Sequence, residues 1–176
     1  SLRRGSYNAA LLRAAAELAP AGVRLEQASI RGIPVYDGDV ETESGIPEPV
    51  RALKERIASA DGVLFVTPEY NNSIPGSFKN AIDWLSRPPA DIPRVFGNRP
   101  VALMGATIGQ GGTGLSQAAW LPVMRVLGTR PWFGRQVLVS GANKVFDDEG
   151  RLIDDKLRER LGAFIAGFAE FASKSR

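Results

Sequence analysis

Three short stretches of the chain hold the residue types that could do chemistry: SLRRGSYN (1–8), PEYNNSIPGS (68–77) and GATIGQGGTG (105–114). The first puts small hydroxyl residues, a glycine and two arginines directly before a run of helix formers. Free N–H groups at a helix N-terminus, with the helix dipole behind them, attract anions. Ser1, Ser6 and Asn8 could add donors and Arg3 adds charge, so a phosphate fits; the alternative is a chain end in which Ser6 merely caps the helix. The second follows the apolar run GVLFVTP, and its polar groups at a strand's carboxyl end are not core filling. Pro68, Pro75 and Gly76 would fix a rigid, extended backbone whose N–H and C=O groups face outward, suited to the polar edge of a flat heterocycle. Glu69 could equally be a solvated carboxylate, and Tyr70 a packing residue.

The third stretch spells G-x-G-x-x-G with Gly109, Gly111 and Gly114, between a predicted strand and a predicted helix. A dinucleotide fingerprint also needs an acidic residue about 20 positions on, at the end of the next strand. That strand ends in VLVSG with no acid near, and the glycines fall late in the chain. The better reading is a glycine-rich loop whose backbone approaches a flat ligand closely. A Walker A loop is excluded, because no Lys-Ser or Lys-Thr follows the glycines.

Composition narrows the chemistry further. The 176 residues include no cysteine and no histidine, which removes thiol nucleophiles, disulfides, a Ser-His-Asp triad and the usual Cys/His zinc sites. The net charge of +3 is spread among acids rather than gathered into a basic stripe with aromatic platforms, so no nucleic-acid partner is expected. Nor is a membrane, since no apolar stretch approaches the roughly 20 residues a spanning helix needs. No apolar signal segment is recognisable, and a cytoplasmic protein is expected. The absence of an initiating methionine at Ser1 suggests missing N-terminal sequence.

The elements that must position these loops alternate. A helix from Ser6 stops at Pro20, Val23 to Ile30 reads as a strand, and 31–49 reads as a loop dense in Gly, Pro and acids. VRALKERIAS (50–59) is a helix and GVLFV (62–66) a buried parallel-type strand. A helix over Ser77–Ser86, the strand PVALMGAT, and a helix from Gly114 to Leu127 interrupted by Pro122 follow. Then come the strand RQVLVSG and a closing helix in DDKLRERLGAFIAGFAEFA. Such alternation predicts one α/β domain over 1–176, a five-stranded doubly wound parallel sheet with helices on both faces. Because the pattern opens on a helix, its first strand would lie before Ser1.

The segment TPEYNNSIPGSFKNAIDWLSRP resembles the signature of the NADPH-dependent FMN reductase family, a flavodoxin-like group that includes quinone, chromate and azo-dye reductases. SLRRGSYN resembles that family's phosphate loop, cut here before Ser1, and VFDDEGRLIDDKLRERL its usual ending. The resemblance implies FMN as cofactor and NADPH or NADH as co-substrate. Ser1, Arg3, Ser6, Tyr7 and Asn8 would hold the phosphate and ribityl chain. Pro68, Glu69, Tyr70, Asn71 and Ser73 would line the isoalloxazine ring, and Gly109, Gln110, Gly111 and Gly112 would form the loop beside it. It implies hydride transfer from nicotinamide to flavin N5 and on to a quinone, chromate, azo or nitro acceptor, with no catalytic side chain required. It further implies a homodimer or homotetramer, with Phe78, Trp84 and Trp120 as candidates to pack at the interface or, equally, in the core. The competing expectation is a flavodoxin-type FMN electron carrier without turnover of its own, which the net basic charge disfavours.

Overall fold

The computed structural model of the chain describes residues 2–174. Helix α1 (Tyr7–Glu17) starts where Ser6, in extended conformation, accepts the Ala9 N–H on its hydroxyl at 3.3 Å. The acidic segment read as loop holds a short helix α2 (Gly38–Ser44), capped by the Asp37 side chain. Pro47 then sets up α3 (Glu48–Ser59), strand β1 (Val63–Val66) follows, and α4 (Gly76–Leu85) begins behind Pro75. A short α5 (Ile92–Val95) leads to strand β2 (Pro100–Ala106), α6 (Gly114–Val126), strands β3 (Arg130–Pro131) and β4 (Val137–Val139), a short α7 (Ala142–Val145) and the long α8 (Asp155–Ser173).

All strand pairs are parallel, and β2 is the centre. On one side β1 runs beside it from Val63 opposite Val101 to Val66 opposite Met104. On the other, the lower half pairs with β3 and the upper half, Met104–Ala106, with β4. Side chains alternate across the sheet. Ala102, Met104, Ala106, Val137 and Val139 pack under α1 and α8, whereas Phe65 and Val101 pack under α3, α4 and α6. The doubly wound α/β architecture is therefore as expected.

Among the described residues the sheet has four strands, and three details differ from the expectation. The segment Val23–Ile30 joins no ladder: a cavity of about 940 Å³ lies between it and β1, lined by both together with Leu12, Ile165 and Phe168. A strand is defined by a neighbour about 4.8 Å away, and here that place is open. The last expected strand, RQVLVSG, is present as β4, and a further two-residue strand, β3, precedes it. They are parted by a detour in which Trp132 turns into the core against Phe164, ring centroids 5.2 Å apart. Pro122, finally, does not interrupt α6. It sits on the exposed face, where the hydrogen bond it forfeits is lost toward solvent.

Candidate functional site

The three loops singled out by residue type meet at the carboxyl ends of the strands, where open α/β sheets bind ligands. The contacts that bring them together are specific. Asn8, buried in the first turn of α1, donates its amide to the Ala106 carbonyl at 2.8 Å and accepts the Ala106 N–H at 2.9 Å, tying the N-terminal loop to the end of β2. Glu69, after β1, accepts the Ser116 N–H at 3.0 Å, tying the second loop to α6. Gly109 accepts the Gly141 N–H at 3.3 Å, and Thr107 that of Ala142 at 3.0 Å, adding the segment after β4.

Glycine is required where these segments touch. A Cβ on Gly105 would come within 2.2 Å of both the Thr113 hydroxyl and the Thr67 carbonyl oxygen. Gly112 has φ 58, and a Cβ there would lie 2.9 Å from that of Leu138. Under the loops runs a buried polar chain. The Thr67 hydroxyl donates to the Pro68 carbonyl at 2.9 Å, lies 3.0 Å from the Ser116 hydroxyl and accepts the Trp120 indole N–H at 3.3 Å. Gln117 bridges the Thr113 hydroxyl and the Val137 carbonyl, both at 3.1 Å. Satisfied networks of this kind hold one geometry.

The predicted residues divide into those that face outward and those that brace. The first-turn N–H groups of Tyr7 and Asn8 point past the end of α1 with no helical acceptor. Arg3 is exposed beside them, its guanidinium bonded to the Gly5 carbonyl at 2.7 Å and 5.9 Å from the Tyr7 ring centre. Ser1 lies outside the described residues. Asn8 turns out to be a strut, its side-chain amide spent on Ala106, and Tyr7 is half-buried with its ring stacked 6.1 Å from Phe146. In the second loop, Asn71 and Asn72 are left-handed at φ 50 and 59. They are flanked by Tyr70 N–H to Ser73 C=O at 3.2 Å and the reverse bond at 3.0 Å. That is a type I′ hairpin turn, which replaces the expected extended run and presents Tyr70, 53% exposed, at its base. Gln110 and Gly111 are exposed, and their N–H groups meet no protein acceptor among the described residues.

Residue type alone did not reveal the bracing residues Thr67, Thr113, Ser116 and Gln117, nor Arg31. Arg31 reaches from the end of the unpaired segment to bond the Leu2 carbonyl at 2.7 Å, which sets a further cation beside the N-terminal loop. Of the proposed interface aromatics, Trp84 and Trp120 are fully buried within this chain and unavailable to a partner. Phe78 is half-buried, its ring 4.7 Å from that of Trp120. Among the described residues no group of three or more His, Cys, Asp or Glu could hold a metal ion, and no helix is long and apolar enough to cross a membrane.

Known proteins are similar to this chain in sequence and fold. The model of the NADPH-dependent FMN reductase family matches residues 1–144. An NAD(P)H-dependent FMN reductase of Pseudomonas aeruginosa is 45% identical over 161 residues, 92% of this chain and 85% of its own. A quinone reductase of Escherichia coli is 39% identical over 179 residues, covering 99% of this chain and 92% of its own. Among solved structures, the flavoenzyme NAD(P)H:(acceptor) oxidoreductase FerB of Paracoccus denitrificans superposes with a TM-score of 0.88 at 31% identity, over 99% of this chain and 94% of that one. The chain is thus an oxidoreductase that works with FMN and a nicotinamide coenzyme, and it belongs to the NADPH-dependent FMN reductase family.

Proposed function

We propose that residues 1–176 act as one FMN-binding domain that oxidises NAD(P)H and reduces a quinone-type acceptor at the meeting point of the three loops. The observation that carries this reading is their convergence, enforced by Asn8 on Ala106 and Glu69 on Ser116. The donor set suits FMN: a cationic helix N-terminus for the phosphate, and two loops of outward backbone groups for the ring edge. A Cβ at Gly5 or Gly109 would meet nothing closer than 3.7 Å, so the backbone there is open to a ligand.

When bound, FMN would supply the redox chemistry, hydride transfer from the nicotinamide to the acceptor. The chain's own residues bind and orient. Arg3 and Arg31 would offset the charge of the phosphate, and Ser1, the Ser6 hydroxyl and the Tyr7 and Asn8 N–H groups would donate hydrogen bonds to it. Pro68, Glu69, Asn71 and Ser73 shape the loop against the ring, with Tyr70 beside the entry. The N–H groups of Gln110, Gly111 and Gly112 would face the ring edge and stabilise negative charge there. An open face of this kind would admit chromate, azo or nitro compounds as well as quinones, and either NADPH or NADH. The reading takes the enzyme to be cytoplasmic and a homodimer or homotetramer. The oligomer is supported by exposed Ile108, Leu115, Leu121 and Val126 on and before α6.

The relatives compared carry enzyme names, so a flavodoxin-type carrier is not favoured. Anaerobic addition of NADPH to the FMN-loaded protein tests the choice. Bleaching of the visible flavin band is expected. A flavin band that NADPH leaves unbleached would point to the carrier, and failure to bind added FMN would overturn the reading.

A further inference from the structure

Helix α6 begins at a residue that does not cap it. Thr113, at the N-cap position, is left-handed with φ 71, and its hydroxyl is turned inward to accept the Gln117 side-chain amide at 3.1 Å. The Ser116 N–H is the third-position donor that an N-cap side chain ordinarily satisfies. It bonds instead to Glu69 Oε2 at 3.0 Å, from a loop 47 residues earlier. A carboxylate is well placed there, against the positive end of the helix. The other carboxylate oxygen lies over the glycine-rich loop, 4.0 Å from where a Cβ on Gly111 would stand. Just beneath, the Ser116 hydroxyl lies 3.0 Å from that of Thr67. Segments 67–69 and 111–116 are therefore joined twice, once in the core and once at the lip of the site.

We propose that Glu69 is a positioning residue: it caps α6 from across the site and so holds the Gln110 and Gly111 N–H groups toward the ligand. The inference rests on the flavin-site reading above and changes the part Glu69 plays in it, from lining the ring to setting the loop that does. The loop's own bonds are backbone ones, the Gly114 N–H to the Gly111 carbonyl at 3.1 Å and the Gly141 N–H to the Gly109 carbonyl at 3.3 Å, with Gly109 donating to the Thr107 hydroxyl at 3.2 Å; Glu69 adds the tie from across the site. A glutamine in place of Glu69 keeps an acceptor oxygen at the same reach without the charge; alanine removes the cap.

The test compares E69A and E69Q with the parent chain in three measurements. In the flavin-free protein, Ser116 amide exchange is expected to quicken about fivefold in E69A, with E69Q recovering most of the protection. In the FMN-loaded protein, E69A is expected to lower kcat about tenfold at nearly constant KM for NADPH and to alter the visible circular dichroism of the bound flavin. E69Q is expected to recover most of both losses. If E69A does not fold, E69D, one methylene short of Ser116, takes its place in the comparison. Exchange, kcat and dichroism all unchanged in E69A would overturn the proposal. So would an E69Q variant as impaired as E69A, since charge rather than the cap would then be the cause. Altered exchange in a protein that binds no FMN would instead overturn the flavin-site reading while leaving the cap in place.

Discussion

Asn8 and Ala106 stand 98 residues apart in the chain, yet the Asn8 side chain completes the Ala106 backbone as a neighbouring strand would, donating at 2.8 Å and accepting at 2.9 Å. Both are buried, so replacing Asn8 by alanine strands an N–H and a C=O at the end of β2. The expected cost is about 3 kcal/mol, which lowers Tm by about 6–12 °C. FMN affinity should fall with it, because the N-terminal loop loses its tie to the sheet. A melting curve within about 2 °C of the parent would show that the pair carries no such load.

Two consecutive left-handed residues make the turn at Asn71 and Asn72 selective. Asparagine tolerates that conformation and glycine does so freely, whereas a β-branched residue pays about 1–2 kcal/mol. Asn72→Gly should leave thermal stability within about 0.5 kcal/mol of the parent, and Asn72→Val should lower it by about 1–2 kcal/mol. Both are checked by urea unfolding.

The Arg31 guanidinium bonds the Leu2 carbonyl beside the N-terminal loop, where a phosphate would add to its partners. It is exposed, so a modest effect is expected: Arg31→Ala should weaken FMN binding about threefold to fivefold and leave riboflavin, which lacks the phosphate, unaffected. The difference should shrink at high salt. Fluorescence titration of the two flavins measures it.

Lys54 is a buried cation that donates to the Arg87 carbonyl and to Asp91, and its ammonium holds the Asp91 carboxyl below the usual carboxylate range. A depressed carboxyl stabilises the fold fully above its unfolded pKa, about 4. That stabilisation is lost as pH falls through the lower folded value. Asp91→Asn should therefore be less stable than the parent at neutral pH. The gap should close below about pH 4, as read from denaturant midpoints across pH.

Along β1, Thr67 donates to the Met104 carbonyl on the β2 side at 2.9 Å, so by strand alternation the Leu64 and Val66 N–H groups face the 940 Å³ cavity. These two amides should exchange faster than those of Phe65 and Thr67. Added N-terminal sequence that forms a strand in this slot should slow Leu64 and Val66 selectively, as amide exchange mass spectrometry or NMR would show. Equal exchange at all four positions would mean that the edge is already covered.

The parts legible in the sequence are those written in consecutive residues. Helix α8 declares itself by Leu157, Leu161, Phe164, Ile165 and Phe168, all buried on one face. Strands β1 and β2 read as apolar runs because both of their faces are covered. The segment Val23–Ile30 misled because its pattern is that of a strand while its pairing is decided by what lies beside it. Trp84 and Trp120 were equally ambiguous: a large aromatic is enriched both in cores and at interfaces, and only packing shows that these two are fully enclosed. Short α2, α5 and α7 carry too little periodicity to stand out from a loop.

The sequence by itself determined the chemistry available. The absence of histidine and cysteine removed thiol, Ser-His-Asp and Cys/His zinc chemistry, and three loops rich in polar residues and glycine marked where a ligand could sit. Only the tertiary structure decided which groups of these loops face outward and which brace them. Asn8 read in the chain as a phosphate donor and Glu69, by resemblance, as lining the ring, and the fold spends the side chain of one on Ala106 and the carboxylate of the other on α6. The reason is that a buried backbone N–H or carbonyl at a strand or helix end must find a partner wherever the fold brings one, and no local pattern records a partner 47 or 98 residues away.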